Sequence, residues 1–256
     1  MEIGALLLEW TQLSALEFFI AVGAVFAAGL VRGFSGFALS AMVMASLALI
    51  IPPVELIAIC WFLELSASLL MVRGGFAQAD MKMVLGLWGG GLMGLPIGLY
   101  LTNAVPSDTS RMIALAVIIS LACAQLFRLK PKFLATNPGL VGSGVTAGIA
   151  TGLAGVGGMV VALYVLARQA PAALMRSSLV MYLFIGSATS FIYLMIYGMM
   201  TWEAFARGAV FVPVVVLGVI AGKALFQPKL EPYYKPFCLV LLVTLASAGL
   251  LRLVLG

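Results

Sequence analysis

Gly29-Leu30-Val31-Arg32-Gly33-Phe34-Ser35-Gly36 sets three glycines between two apolar runs, and the pattern returns once, as Gly148-Ile149-Ala150-Thr151-Gly152-Leu153-Ala154-Gly155. The spacing between copies is constant: 148 − 29, 152 − 33 and 155 − 36 all equal 119, as does 171 − 52 for the following prolines, Pro171 and Pro52. The chain is therefore two copies of one unit. In hydrocarbon, non-helical backbone is tolerated only where protein buries it or it lines a cavity, because its N–H and C=O groups find no water there. The two breaks are thus the first candidates for a functional centre.

Composition makes hydrocarbon the right solvent to consider. Of 256 residues, 64% are hydrophobic and only 9% charged, and the mean hydropathy is +1.19. A single soluble core cannot hide that much apolar surface. The net charge of +5 comes from fourteen Lys and Arg spread over short interhelical loops, which points to membrane orientation rather than nucleic acid. Cys60, Cys123 and Cys238 lie singly in apolar runs and show no paired spacing, and there is no His. Neither a disulfide framework nor a metal site is expected, and histidine proton relays are excluded. The opening residues carry Glu2, Glu9 and Glu17 without Lys or Arg, unlike the basic start of a secretory signal.

Five apolar segments fill the first half, at about 15–31, 37–51, 54–72, 81–101 and 109–127. Five more follow at about 138–151, 156–168, 174–197, 204–226 and 235–255. A full span needs about 20 residues, so the first two segments of each set read as short helices flanking the break, a broken or re-entrant pair. Placing the linker Arg128, Lys130 and Lys132 in the cytoplasm puts Arg73, Lys82, Arg168, Arg176, Lys223, Lys229 and Lys235 there too, and leaves only Arg111, Arg207 and Arg252 outside. That bias fits the positive-inside rule. An odd number of segments per unit then makes the halves oppositely oriented. The expected fold is an all-α integral membrane protein of two inverted repeats in one membrane domain, 1–256. Repeat one covers about 15–128, a basic linker about 128–137, and repeat two about 138–255. Gly94 and Gly98 correspond to Gly218 and Gly222 at an offset of 124, as does Arg111 to Lys235.

The paired glycine breaks, the following prolines and the basic linker resemble the TauE/SafE family of small membrane transporters over nearly the whole chain, from about Phe18 to Leu255. One departure is Gly157-Gly158-Met159-Val160, where many relatives carry Gly-Gly-Pro-Pro. The resemblance implies export of sulfite or organosulfonates across a bacterial cytoplasmic membrane, with the linker 128–132 on the cytoplasmic side.

Arg32 is suited to bind a small oxyanion through forked hydrogen bonds, helped by the backbone of its glycine break. It equally suits a loop-end arginine that reaches the headgroups. Arg32, Gly33, Phe34, Ser35, Gly36, Thr151, Gly152, Gly155 and Tyr182 form the candidate substrate site. Small residues spaced by four also let membrane helices approach closely, which assigns Gly29 and Gly148 to packing and the other four glycines to the tips. Ser35 and Thr151 either bind substrate or cap their helices. Glu64 lies deep in the third segment, on one helical face with Cys60 and Ser68. It is either a proton-coupling group or a counter-ion to Arg32. Ser178, Tyr182, Gly186 and Ser190 recur every four residues and line either a path or a helix contact. Asp80 and Glu203, near helix starts, read as caps.

A secondary transporter of small anions by alternating access is the leading function. A passive anion channel and an uptake route for sulfonates or carboxylates are the alternatives. No nucleotide-binding motif of the Gly-x4-Gly-Lys-Ser/Thr type is present, and no constellation for catalysis is visible. No cofactor, metal or nucleic acid is expected. The partners are the anion and the bilayer, with a homodimer left open.

Overall fold

A computed structural model describes residues 10–72, 78–129, 131, 136–168, 172–225 and 231–255, without the side chains of 172–173 and 231–235. Glu2, Glu9, Arg73, Lys130, Lys132, Pro171, Lys229 and the side chain of Lys235 lie outside the described residues. Among the described residues the chain forms ten helices, α1 (Ala15–Ser35), α2 (Leu39–Leu47), α3 (Pro53–Met71), α4 (Met81–Ala104), α5 (Ser107–Leu126), α6 (Asn137–Ala154), α7 (Gly157–Ala167), α8 (Ala172–Ile196), α9 (Trp202–Leu225) and α10 (Glu231–Leu255). All but α2, α6 and α7 are long and apolar enough to cross a membrane. The chain is an all-helical, multi-pass membrane protein.

Local chemistry fixes the ends of the helices that carry the breaks. Ser14 and Glu17 form a reciprocal capping box at the start of α1. Thr136 accepts a hydrogen bond from Gly139 N at 3.1 Å at the start of α6, with Pro138 in its first turn. Both helices end on a left-handed glycine, Gly36 at φ 79° and Gly155 at φ 71°, the conformation that closes a helix without a Cβ penalty. Pro53 opens α3 and Asp80 caps α4 by accepting from Met83 N at 3.1 Å. Asp80 is thus the cap that the sequence suggests.

The breaks differ in one respect from the sequence expectation. Helix α1 runs through Gly29 and Gly33 to Ser35 and spans 21 residues, so it is neither short nor broken at Gly33. A Cβ on Gly33 would lie 2.4 Å from Val219 O and 2.9 Å from Gly222 Cα, and one on Gly152 would lie 2.6 Å from Gly98 Cα. Gly33 and Gly152 are therefore contact glycines that let two backbones touch, like Gly29 and Gly148, and only Gly36 and Gly155 turn the chain. The reason is the neighbour: the fourth helix of the other repeat brings its own glycines, Gly218 and Gly222 or Gly90, Gly94 and Gly98, to the same line.

That line organises the packing. Helix α1 packs most extensively on α9, and α6 on α4, so each repeat's first helix seats on the other's fourth. Register follows from the close approaches. Gly29 meets Gly218 and Gly33 meets Gly222, while Gly144 meets Gly90 and Gly152 meets Gly98. Both pairs run parallel. Helix α3 runs parallel to α9, joined by Glu55 with Arg207 at one end and by Leu70 O with Lys223 Nζ at the other. Helix α8 runs parallel to α4, through Asp80 N with Ser178 Oγ, Trp88 with Thr189 and Pro96 O with Tyr197.

Two faces of the molecule are thereby defined. The first gathers the starts of α1, α3, α5 and α9, where Arg207 Nε donates to Thr11 O at 2.7 Å and Arg111 Nε to Ala48 O at 2.7 Å. The second gathers the ends of α1, α3 and α9 with the starts of α4 and α8. Helices α1 and α2 together leave the first face and return to it.

Candidate functional site

Between α3, α4, α8, the start of α2 and the second break lies a cavity of about 80 Å³. A water molecule needs roughly 10–15 Å³ of such space, so the volume suits a small polyatomic group. Its polar lining is Ser40, Glu64, Thr151, Tyr182, Ser187 and Ser190. Ile57, Leu99 and Leu194 line the part nearest the first face, each within a few residues of its helix terminus there.

Among the described residues Glu64 is the only charged group on the cavity wall. Its Oε1 accepts from Ser40 N at 3.3 Å and from Ser40 Oγ at 2.9 Å. Its Oε2 lies 3.3 Å from Arg32 Nη2 as an ion pair but makes no hydrogen bond. The Glu64 side chain is 17% exposed and that of Arg32 0%. Arg32 therefore sits behind Glu64, out of the cavity, rather than among headgroups. Its Nη2 also donates to Ser68 Oγ at 3.1 Å, and its Nη1 to Gly36 O. Among the described residues its Nε finds no partner. One cation is thus satisfied on two nitrogens and buried with the third unpaired, an arrangement that costs free energy in this state.

The candidate residues divide on this geometry. Thr151, Gly155, Tyr182 and Glu64 line the cavity, and of the four-spaced stripe on α8 so do Gly186 and Ser190. Ser178 instead accepts from Asp80 N at 3.0 Å. Arg32, Gly33, Phe34, Ser35, Gly36 and Gly152 are absent from the cavity wall. Ser35 Oγ donates to Val31 O at 2.7 Å and accepts from Phe37 N at 3.3 Å, so it stitches the first tip. Thr151 Oγ1 donates to Ala147 O at 2.8 Å while still facing the cavity. Thr151 therefore bonds within its own helix, whose end is closed by Gly155 and not by Thr151.

Three participants carry no isolated signal in the sequence. Ser40 reaches Glu64 because the left-handed Ala38, at φ 71°, aims the start of α2 at α3. Trp61 Nε1 donates to Ser187 O at 2.8 Å and fixes α3 against α8 beside the cavity. Arg176, read from sequence as an orientation charge, donates through Nη2 to Gly33 O at 2.7 Å and covers Gly36.

The sequence profile described as Sulfite exporter TauE/SafE matches residues 20–249. The chain belongs to the TauE/SafE sulfite exporter family. The match takes in both breaks, the cavity lining and all ten helices except the first residues of α1 and the last of α10. No curated protein and no solved structure matches the chain. Membership of TauE/SafE makes this a membrane protein of a transporter family.

Proposed function

We propose that this TauE/SafE chain is a secondary transporter that moves sulfite or short organosulfonates across the bacterial cytoplasmic membrane by alternating access. The observation that carries the reading is the cavity walled by Glu64, with the buried Arg32 paired to that carboxylate and the second break on the cavity wall. The parallel register of α1 with α9 and of α6 with α4 supports inverted repeats, since α3 and α8 contact each other with Trp61 at Ser187 while Arg176 reaches Gly33 beside Arg32, whose partners on α3 are Glu64 and Ser68. Residue numbers on α3 rise from 61 to 68 as those on α8 fall from 187 to 176, which is an antiparallel crossing of the two third helices. The second face carries Lys82, Arg128, Arg168, Arg176 and Lys223 by chain direction, against Arg111, Arg207 and Arg252 on the first. The second face is then cytoplasmic.

Charge decides how the site works. An anion entering a cavity whose charged wall is a carboxylate meets repulsion unless Glu64 takes a proton. With Glu64 neutral, Arg32 supplies the uncompensated positive charge, and Ser40, Thr151 and Tyr182 supply hydroxyl donors. Anion and proton thus bind together, and their departure restores the Arg32–Glu64 pair. A singly charged sulfonate moves with its proton as a neutral unit. Doubly charged sulfite and one proton carry one net negative charge, which an inside-negative potential drives outward. No nucleotide is needed, and none of these steps makes or breaks a covalent bond in the substrate.

Proteoliposomes test this. Sulfite-loaded vesicles should show trans-acceleration by unlabelled sulfite, which a passive channel lacks. Glu64→Gln should keep sulfite exchange but lose the pH dependence of net flux. An unchanged pH profile in that variant would remove Glu64 from coupling, and flux without trans-acceleration would make the protein a channel.

A further inference from the structure

The repeat says what a counterpart of this cavity would contain. Shifting its lining residues by the repeat offsets sends Thr151 to Arg32 and Gly155 to Gly36 (151 − 32 = 155 − 36 = 119). It sends Gly186 to Ala67 and Ser187 to Ser68, and Ile57 to Arg176 (176 − 57 = 119). At the offset of the fourth helices, Leu99 goes to Lys223 (223 − 99 = 124). These counterpart side chains are each held against α1 or α3. Arg32 Nη2 donates to Ser68 Oγ at 3.1 Å, Arg176 Nη2 donates to Gly33 O at 2.7 Å, and a Cβ on Gly33 would lie 2.9 Å from Lys223 N. On the second face, Lys223 Nζ also donates to Leu70 O at 3.3 Å. Ala67 and Ser68 are fully buried, as is Arg32. What is a cavity walled by Glu64 is, in its repeat counterpart, a closed region that holds Arg32, Arg176 and Lys223 together with Glu64 itself, the counterpart of the lining residue Leu183 (183 − 64 = 119).

We infer that exchange of conformation between the two repeats opens a second cavity on the second face, floored by Arg32 and Ser68 and rimmed by Arg176 and Lys223, and that this basic half-site is the tighter of the two for a small oxyanion. The inference rests on the transporter reading above and adds which face binds the anion tightly and what displaces it. In the exchanged state Arg32, including the Nε that has no partner here, and Arg176 present planar forks to the anion, which suit oxyanion geometry. On return to the state seen here, Glu64 re-forms its pair with Arg32 and Arg176 closes over the first tip, so the carboxylate takes the anion's place. The other carboxylate beside this cluster is Asp80, whose backbone N–H donates to Ser178 Oγ on α8 and whose side chain caps α4. A difference in affinity between faces does not supply a driving force. It sets the concentration at which each face loads.

Oriented proteoliposomes holding the full chain provide the test, with Ala67→Cys and Gly186→Cys made separately and a membrane-impermeant thiol reagent applied from one face at a time. Peptide-resolved mass spectrometry separates the new label from any at Cys60, Cys123 or Cys238. A Cβ on Gly186 meets nothing within 4 Å, so that variant has room for its side chain. Label at position 186 is expected from the first face only and at position 67 from the second face only, the latter slowed by added sulfite. A second measurement does not depend on those cysteines. Arg176→Gln should raise half-saturation for sulfite applied to the second face about tenfold, the loss of one charge-assisted hydrogen bond, and leave the first face unchanged. A transporting protein whose position 67 stays inert from the second face overturns the inference and leaves the transporter reading intact. Reciprocal labelling in a protein that neither binds nor moves sulfite, a sulfonate or a carboxylate removes the anion from both half-sites and overturns the transporter reading as well. Equal effects of Arg176→Gln on the two faces overturn the assignment of the tighter half-site.

Discussion

Breaking the Arg32–Glu64 pair from each side separately discriminates between a buried charge held for stability and one held for exchange. At the 3.3 Å separation and an effective dielectric constant of about 20, the Coulomb attraction is about 5 kcal/mol, an upper bound before desolvation is counted. The two partners are not equally dependent on it. Glu64→Gln leaves Arg32, at 0% exposure, buried without a counter-charge, at an expected cost of about 3–5 kcal/mol. Arg32→Met leaves Glu64 at 17% exposure, with Ser40 still donating to it and the cavity beside it, and should cost about 1–2 kcal/mol. The double variant removes both charges and should recover most of the larger penalty, giving a coupling energy of about 2–4 kcal/mol. Equilibrium unfolding in mixed micelles, followed by tryptophan fluorescence, measures all four corners of the cycle. Additivity within about 0.5 kcal/mol, or Arg32→Met proving the more damaging single change, would refute the assignment of a desolvated cation leaning on a mostly buried acid that keeps some exposure.

Three further changes probe the glycines and the cavity wall. Gly33→Ala places a methyl 2.4 Å from Val219 O and should force α1 from α9 at a cost of about 1–3 kcal/mol, whereas Gly23→Ala, with nothing within 4 Å of its Cβ, should be neutral or stabilise by up to about 1 kcal/mol; thermal unfolding in detergent ranks the pair. Gly36→Ala imposes a side chain at φ 79° and should cost about 1–2 kcal/mol, with Gly36→Asn milder because Asn tolerates the left-handed region; identical losses for both would mean that contact with Arg176, rather than backbone strain, sets the effect. Tyr182→Phe should raise the half-saturation for sulfite about fivefold, the loss of one hydroxyl donor worth about 1 kcal/mol, with unfolding unaltered, and unchanged kinetics would place the phenol outside the binding surface.

Much of this architecture is legible from spacing because the residues that hold the helices together are the ones that repeat. Gly29, Gly33, Gly218 and Gly222 form one backbone contact and Gly144, Gly148, Gly152, Gly94 and Gly98 the other, so a periodicity of four within each helix and offsets of 119 and 124 between halves record the packing directly. What spacing cannot say is which glycine turns the chain. Gly33 and Gly36 look alike in a sequence, yet one faces Gly222 and the other adopts a left-handed φ with Arg176 against it. The difference resides in the neighbour across the repeat. Arg32 shows the same limit. Its depth follows from an apolar context, but its place behind Glu64 depends on a left-handed Ala38 that swings Ser40 onto α3, and no local pattern encodes that swing.

The residues that do not repeat are where function has to be sought, and they fall into one place. Under the exchange of halves Arg32 becomes Thr151, Glu64 becomes Leu183 and Cys60 becomes Leu179, while Ser68 keeps its hydroxyl as Ser187. Thr151, Leu183 and Ser187 all line the cavity, so the second repeat supplies a wall with hydroxyls and no charge against a first repeat that supplies the ion pair. A symmetric scaffold can reach two equivalent conformations at nearly equal free energy, because its helix contacts are the same in both. An asymmetric lining then makes the two conformations chemically different without disturbing the contacts that interconvert them. That separation predicts that substitutions at Arg32, Glu64 and Arg176 shift side-specific affinity and pH dependence, whereas substitutions at the contact glycines shift stability and the rate of exchange. A Gly98→Ala variant that altered sulfite selectivity while leaving unfolding and turnover intact would contradict it, because a Cβ there lies 2.4 Å from Ile149 O and Gly98 does not line the cavity.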